Sequence, residues 1–140
     1  PTALGAKVAK PDTPVVSVSG DGGFMYNVQE LSTAVKYGIN IVAVIFNDGF
    51  YGNVRRDLEL DWGGDYETSF VNPDFAKMAE TYGAKGITVN DPTKVNEAIE
   101  EGIASNMPTL IDVNMIDTND VPRPFAGRAP WTLPHDELLD

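Results

Sequence analysis

Two apolar runs, Val15–Ser19 and Ile39–Phe46, stand one helical segment apart and limit what this chain can fold into. Both runs are short and valine- or isoleucine-rich, the composition of buried parallel strands. Between them Val28, Leu31, Ala34 and Val35 recur at helical spacing from Asn27 to Tyr37, and Gly38 is a natural stop. Strand, helix and strand in this order predict a right-handed βαβ crossover. The first run ends in Gly20-Asp21-Gly22-Gly23 and the second in Asn47-Asp48-Gly49. Parallel neighbours bring both ends to the carboxyl edge of the sheet, where open α/β sheets bind ligands.

The rest of the chain repeats the same alternation. Leu4, Val8 and the alanines give a weak helical face before Pro11, and 54–60 can form a short helix. Residues 61–71 lack periodicity and read as a loop. Asn72-Pro73-Asp74 reads as a helix start with Asn72 as cap; Phe75, Met78, Ala79 and Tyr82 follow as the buried face, and Gly83 ends it. Gly86–Val89 reads as a strand, Val95, Ala98, Ile99 and Ile103 as a helix face, and Leu110–Val113 as a last strand. The predicted fold is α/β, a mostly parallel sheet with helices on both faces, over residues 1–116. Residues 117–140 hold Pro122, Pro124, Pro130 and Pro134 and read as an extended tail. The opening residues look like the end of a helix without its beginning, so the chain is expected to be a fragment of a longer polypeptide.

Charge narrows the function classes. The chain has 140 residues and a net charge of −11, which argues against nucleic acid and anionic membrane as partners. The run from Ile39 to Phe46 is too short to span a bilayer. The absence of cysteine excludes disulfides and thiolate metal sites, and suits a cytoplasmic setting. Between Val15 and Asn53 the only cation is Lys36, in mid-helix. A diphosphate bound at this edge would need its charge answered by a metal.

Glycines at a strand-to-helix turn let backbone N–H groups approach a phosphate, or they merely permit a tight turn. A dinucleotide fingerprint fails here, because Met25 stands where the third glycine belongs and Asp21 would repel a bare pyrophosphate. A divalent cation makes Asp21 useful. Mg²⁺ prefers oxygen donors and commonly bridges one or two protein ligands to phosphates. Asp21 offers a carboxylate, Asn47 an amide oxygen and Gly49 a backbone carbonyl.

These words resemble a known group. G-D-G-G-F-M-Y-N-V-Q-E-L-S-T-A-V-K-Y-G-I-N-I-V and F-N-D-G-F-Y-G-N-V-R-R, with A-L-G-A-K, N-P-D-F-A-K-M-A-E-T-Y-G-A-K-G and P-T-L-I-D-V, are similar to thiamine diphosphate-dependent enzymes of the acetohydroxyacid synthase, pyruvate oxidase and benzoylformate decarboxylase group. The resemblance runs from about Leu4 to Val113. It implies the carboxyl-terminal, diphosphate-binding domain of such an enzyme. Asp21, Asn47 and the Gly49 carbonyl match the Mg²⁺ ligands. Gly20, Gly22 and Gly23 match the diphosphate contact, and Phe50 and Tyr51 follow the ligand loop and either line the cavity or pack in the core. Asp48 departs from the pattern, since many relatives carry a second Asn there. The activating glutamate is expected on a pyrimidine-binding domain from a partner subunit, so the isolated chain is expected not to catalyse, and a homodimer or homotetramer is implied. The implied substrate is a small 2-oxo acid, acted on by a decarboxylase or carboligase. Flavin binds elsewhere in relatives and these residues do not indicate it.

Rival readings stay open at this point: oxidase or C–C hydrolase chemistry on the same cofactor, a non-catalytic assembly module, and a dinucleotide-binding domain. Asp57, Glu59, Asp61 and Asp65 do not make an EF-hand, since Trp62 stands where glycine is required and Thr68 where glutamate is. Arg55 and Arg56 are expected in surface salt bridges, Glu30 in a structural role, and Met25 and Tyr26 in the core. His135, alone in the tail, is given no chemistry.

Overall fold

The computed structural model describes residues 1–115; the expected tail and His135 lie outside the described residues. Among the described residues four strands form one sheet: β1 (Val16–Gly20), β2 (Val42–Asn47), β3 (Lys85–Val89) and β4 (Thr109–Asn114). Their order is β1-β2-β4-β3, and every pairing is parallel. The helices are α1 (Thr2–Ala9), α2 (Asp21–Met25), α3 (Glu30–Tyr37), α4 (Gly52–Trp62), α5 (Phe75–Tyr82) and α6 (Val95–Ala104), the last preceded by a 3₁₀ turn at Pro92–Lys94.

Strand periodicity sends alternate residues to opposite faces. On one face Ala43, Ile45 and Leu110 pack with Leu31 of α3 and with Phe75 and Ala79 of α5. On the other, Val42, Val44, Ile111 and Val113 pack with Ala98 of α6. Helices therefore cover both faces, as the pattern predicts. Phe75 is fully buried, with its ring edge-on to Phe24 at a centroid distance of 5.8 Å. Burying a side chain of this size stabilises the fold by about 1.5–3 kcal/mol. Gly38 and Gly83 end α3 and α5 in the left-handed conformation, with φ of 63° and 83°.

Four expectations need correction. Among the described residues β1 is an edge strand, and Val16 and Val18 are exposed; apolar content alone does not separate a central strand from an edge. The Gly20–Gly23 segment is no open turn, because α2 begins directly at Asp21 and a separate α3 starts only at Glu30. Asn72 does not cap α5; the cap is Asp74, whose carboxylate accepts the Lys77 N–H at 2.9 Å. Met25 and Tyr26 are exposed, Tyr26 at 73%. Among the described residues no helix is long and apolar enough to cross a membrane.

Candidate functional site

The carboxyl ends of β1 and β2 lie side by side, in a register that pairs Gly20 with Phe46. The residue after β1, Asp21, opens α2; the last residue of β2 is Asn47. Asp21 is 1% exposed. Burying a carboxylate is costly unless hydrogen bonds compensate, and three N–H groups do so. Its Oδ1 accepts from Gly22 N at 2.7 Å, and its Oδ2 accepts from Gly49 N at 2.8 Å and from Asn72 Nδ2 at 2.5 Å. The same Asn72 nitrogen donates to Asn47 Oδ1 at 2.8 Å. One nitrogen thus touches both groups, and the carboxylate and the carboxamide can lie no further apart than those two contacts end to end.

The Asn47 side chain is held at its other end as well. Its Nδ2 donates to Asp112 Oδ1 at 3.0 Å, while Asp112 Oδ2 accepts from Phe75 N at 3.3 Å. Asp112 is 4% exposed and sits on the central strand β4. An acceptor-only carboxylate there leaves the amide one orientation, with Oδ1 turned towards Asp21.

Segment 68–72 closes over this edge. Phe50 bridges to Ser69, Tyr51 N donates to Thr68 O, and Phe70 N donates to the Gly49 carbonyl, the last two bonds at 2.9 Å each. Tyr51 packs against Phe70 with 4.6 Å between centroids and the rings tilted by 46°, and both rings lie over Gly22. A Cβ at Gly22 would stand 2.7 Å from the Tyr51 ring, so only glycine fits this approach, while nothing lies within 4 Å of the Cβ position at Gly23. Gly22 is buried and Gly23 exposed. Phe50 faces Arg55, whose guanidinium lies 4.5 Å from the ring centroid.

These bonds can be counted against what each oxygen can accept. An ionised carboxylate has about four acceptor positions, and a carbonyl has two. Asp21 uses three, leaving one on Oδ1; Asn47 Oδ1 and the Gly49 carbonyl each use one and keep one. Three oxygens at one sheet edge therefore have room for a further partner. No group of three or more His, Cys, Asp or Glu side chains that could hold a metal occurs among the described residues. One carboxylate, one amide and one carbonyl is instead the sparse oxygen set that suits Mg²⁺ shared with phosphates.

Asp48 has its pKa raised, first by burial and then by the neighbouring Asp21 charge, against a hydrogen bond from Phe50 N that lowers it. Arg55 and Arg56 sit in ion pairs with Glu59, Asp65 and Asp57, the expected surface role. The acidic residues Asp57, Glu59, Asp61 and Asp65 stay at the surface, and α4 has no buried residue. Glu30 begins α3, away from these bonds. A cavity of about 240 Å³ between α1, β1 and α3 includes Gly23 but neither Asp21 nor Asn47.

Sequence reasoning missed Asn72 and Asp112. Asn72 carried the signal of a helix cap, and Asp112 stood inside an apolar strand run. A carboxylate in the middle of such a run was the readable clue, since it needs a buried partner.

Comparison with known proteins gives the family. The family described as thiamine pyrophosphate enzyme, C-terminal TPP binding domain, matches residues 1–113. The acetolactate synthase large subunit of Haemophilus influenzae is 39% identical over 133 residues, covering 92% of this chain and 23% of that protein. A 2-hydroxyacyl-CoA lyase of Arabidopsis thaliana is 38% identical over 138 residues, covering 94% of this chain and 23% of that one. Among solved structures, the thiamine diphosphate-dependent 4-hydroxybenzoylformate decarboxylase of Rhodococcus jostii superposes with a TM-score of 0.74 at 34% identity, over 81% of this chain and 22% of that one. The chain spans less than a quarter of the length of these relatives.

Proposed function

This chain belongs to the thiamine pyrophosphate enzymes, as a C-terminal TPP-binding domain, and from that premise we propose that it holds thiamine diphosphate through a Mg²⁺ ion. Asp21, Asn47 and the Gly49 carbonyl are the protein's metal ligands in this reading. The backbone of Gly20, Gly22 and Gly23 lies against the diphosphate, and Phe50 and Tyr51 border it. The observation that carries the reading is the single free acceptor position on each of the three oxygens.

Each residue has a task. Asp21 supplies the negative charge that would hold the cation, and the cation in turn would let an acidic chain accept a diphosphate. Asp112 holds the Asn47 amide in the ligating orientation, and outer partners of this kind tune metal affinity. Tyr51 and Phe70 pack together beside Gly22 and border the site. When bound, thiamine diphosphate supplies the carbanion chemistry, and the protein binds and orients it.

Relatives named acetolactate synthase and 4-hydroxybenzoylformate decarboxylase support a small 2-oxo acid as substrate, with decarboxylation or carboligation as the reaction. The activating glutamate and the pyrimidine-binding domain would come from a partner subunit in a homodimer or homotetramer, and the setting is cytoplasmic. Thus the 140-residue chain alone should not turn over pyruvate with cofactor and Mg²⁺; clear turnover would contradict this. Calorimetry tests the binding itself. Thiamine diphosphate should bind in the presence of Mg²⁺ and fail to bind in excess chelator or to Asp21→Ala. Equal binding by Asp21→Ala and the parent would favour a domain that keeps the fold for assembly only.

A further inference from the structure

We propose that the outer side of β1 is an interface, and that its occupant is a further β-strand supplied by polypeptide preceding Pro1. The inference concerns the sheet and stands apart from the Mg²⁺ reading.

The two edges of the sheet are built differently. Among the described residues β3 and β1 each have a single neighbour, β4 and β2. β3 is finished as an edge. Its Val89 is 4% exposed, its exposed residue is Thr88, and Lys85 is tied to Glu101 at 2.8 Å. Charged and polar side chains of this kind guard an edge against further pairing. β1 has no such guard. It reads V-S-V-S-G, without charge or proline, and it pairs with β2 in unbroken register from Val16 to Gly20, so no bulge turns its outer side away.

Both faces of β1 also lack cover. Val16 and Val18 share a face with Val42 and Val44, which α6 covers, yet they are 40% and 65% exposed. On the other face Ser17 and Ser19 line the cavity of about 240 Å³, whose wall reaches the buried Leu31, Ala34, Ala43 and Leu110. Protein interiors have few voids larger than a water molecule, and all-parallel sheets are covered on both faces. A neighbour beyond β1 supplies what both faces lack.

Chain order names the source of that neighbour. Each later strand is reached through a helix from an earlier one: β2 through α3, β3 through α5 and β4 through α6. α1 runs into β1 in the same manner, with Leu4 buried and its first turn forming one wall of the cavity. Parallel strands need such a crossover, so α1 calls for a strand before it. The relatives hold ample polypeptide for one, since this chain covers 23% of the Haemophilus influenzae protein and 22% of the Rhodococcus jostii one.

The test compares the 140-residue chain with the polypeptide lengthened by all residues encoded upstream of Pro1. The chain has no cysteine, so Val18→Cys places a thiol on the edge, and its labelling by iodoacetamide is read by mass spectrometry. A covered residue reacts only through local opening, so labelling at position 18 should be more than about tenfold slower in the longer polypeptide. Hydrogen exchange at the outward-facing amides of 16–20 in the unsubstituted proteins should slow in step, and it decides the matter if the cysteine variant fails to fold. Equal labelling and equal exchange in both polypeptides would overturn the proposal. So would slow labelling in the 140-residue chain itself, which would make residues 116–140 the occupant or, if it depends on concentration, a second copy. A reading frame with nothing encoded before Pro1 would overturn it as well.

Discussion

Asp21 and Asp91 stand at the same edge of the same sheet, each just past the carboxyl end of a parallel strand, and they do different things. Asp21 is 1% exposed, and its partners come from the β2 end and from segment 68–72 as well as from its own helix. Asp91 is exposed, and its carboxylate takes only the N–H and hydroxyl of Thr93, two residues on, at 2.9 and 2.7 Å. The amides repeat the contrast. Asn47 is wedged between Asp112 and Asn72, while Asn114, at the end of β4, bonds Asn90 in an exposed pair. Residue type and place on the edge are nearly constant across the two regions. What differs is burial and the convergence of distant segments, which turn a capping side chain into part of a site.

The largest effect should come from breaking the buried member of the pair. Asp21→Ala should weaken Mg²⁺-dependent binding of thiamine diphosphate by more than the roughly 10–100-fold expected for loss of an outer partner. Asp91→Ala should leave that binding unchanged, and calorimetry on both variants reads the contrast. If Asp91→Ala weakens binding as much as Asp21→Ala does, the distinction drawn here is wrong.

Asp112→Asn comes next. An amide cannot accept from both Asn47 Nδ2 and Phe75 N, so one buried donor loses its partner, at about 1–3 kcal/mol. Urea denaturation should show that loss, and Mg²⁺ affinity should fall with it. Asn114→Ala, the exposed counterpart, should stay within about 0.5 kcal/mol of the parent.

Gly22→Ala should destabilise by no more than Asp112→Asn does, because its Cβ would meet the Tyr51 and Phe70 rings, which can shift, rather than backbone. Overpacking of this kind costs about 1–3 kcal/mol, and Tyr51→Ala in the same chain should recover much of it. Gly23→Ala, with open space around it, should fold like the parent.

The smallest effect concerns pH. Burial and the Asp21 charge hold the Asp48 pKa above 3.8 in the folded chain, so its ionisation favours unfolding. That penalty is absent below the unfolded value and is fully present once the pH has risen through the folded value. Asp48→Asn should therefore raise stability slightly at neutral pH and lose the advantage near pH 3. A gain that persists there would trace to something other than this charge.

Much of the fold was legible because periodicity and breakers act locally. The βαβ unit, the glycine stops after Tyr37 and Tyr82, and the helices on both faces follow from residue spacing alone. The edge position of β1 was not legible, since Val16 and Val18 look alike whether or not a neighbour covers them. In the site, Asp21, Asn47 and Gly49 could be read because each lies at a strand end. Asn72 could not, because its partners are 51 and 25 residues away and its neighbours Pro73 and Asp74 advertise a helix start. Long-range convergence leaves no spacing rule in a single chain.

Diffraction from the chain soaked with Mn²⁺ and thiamine diphosphate tests the central claim most directly. The anomalous signal should give one peak within coordination distance of Asp21 Oδ1, Asn47 Oδ1 and the Gly49 carbonyl, with the diphosphate on its open side. A peak elsewhere, or a diphosphate bound at this edge with no metal beside Asp21, would contradict the account.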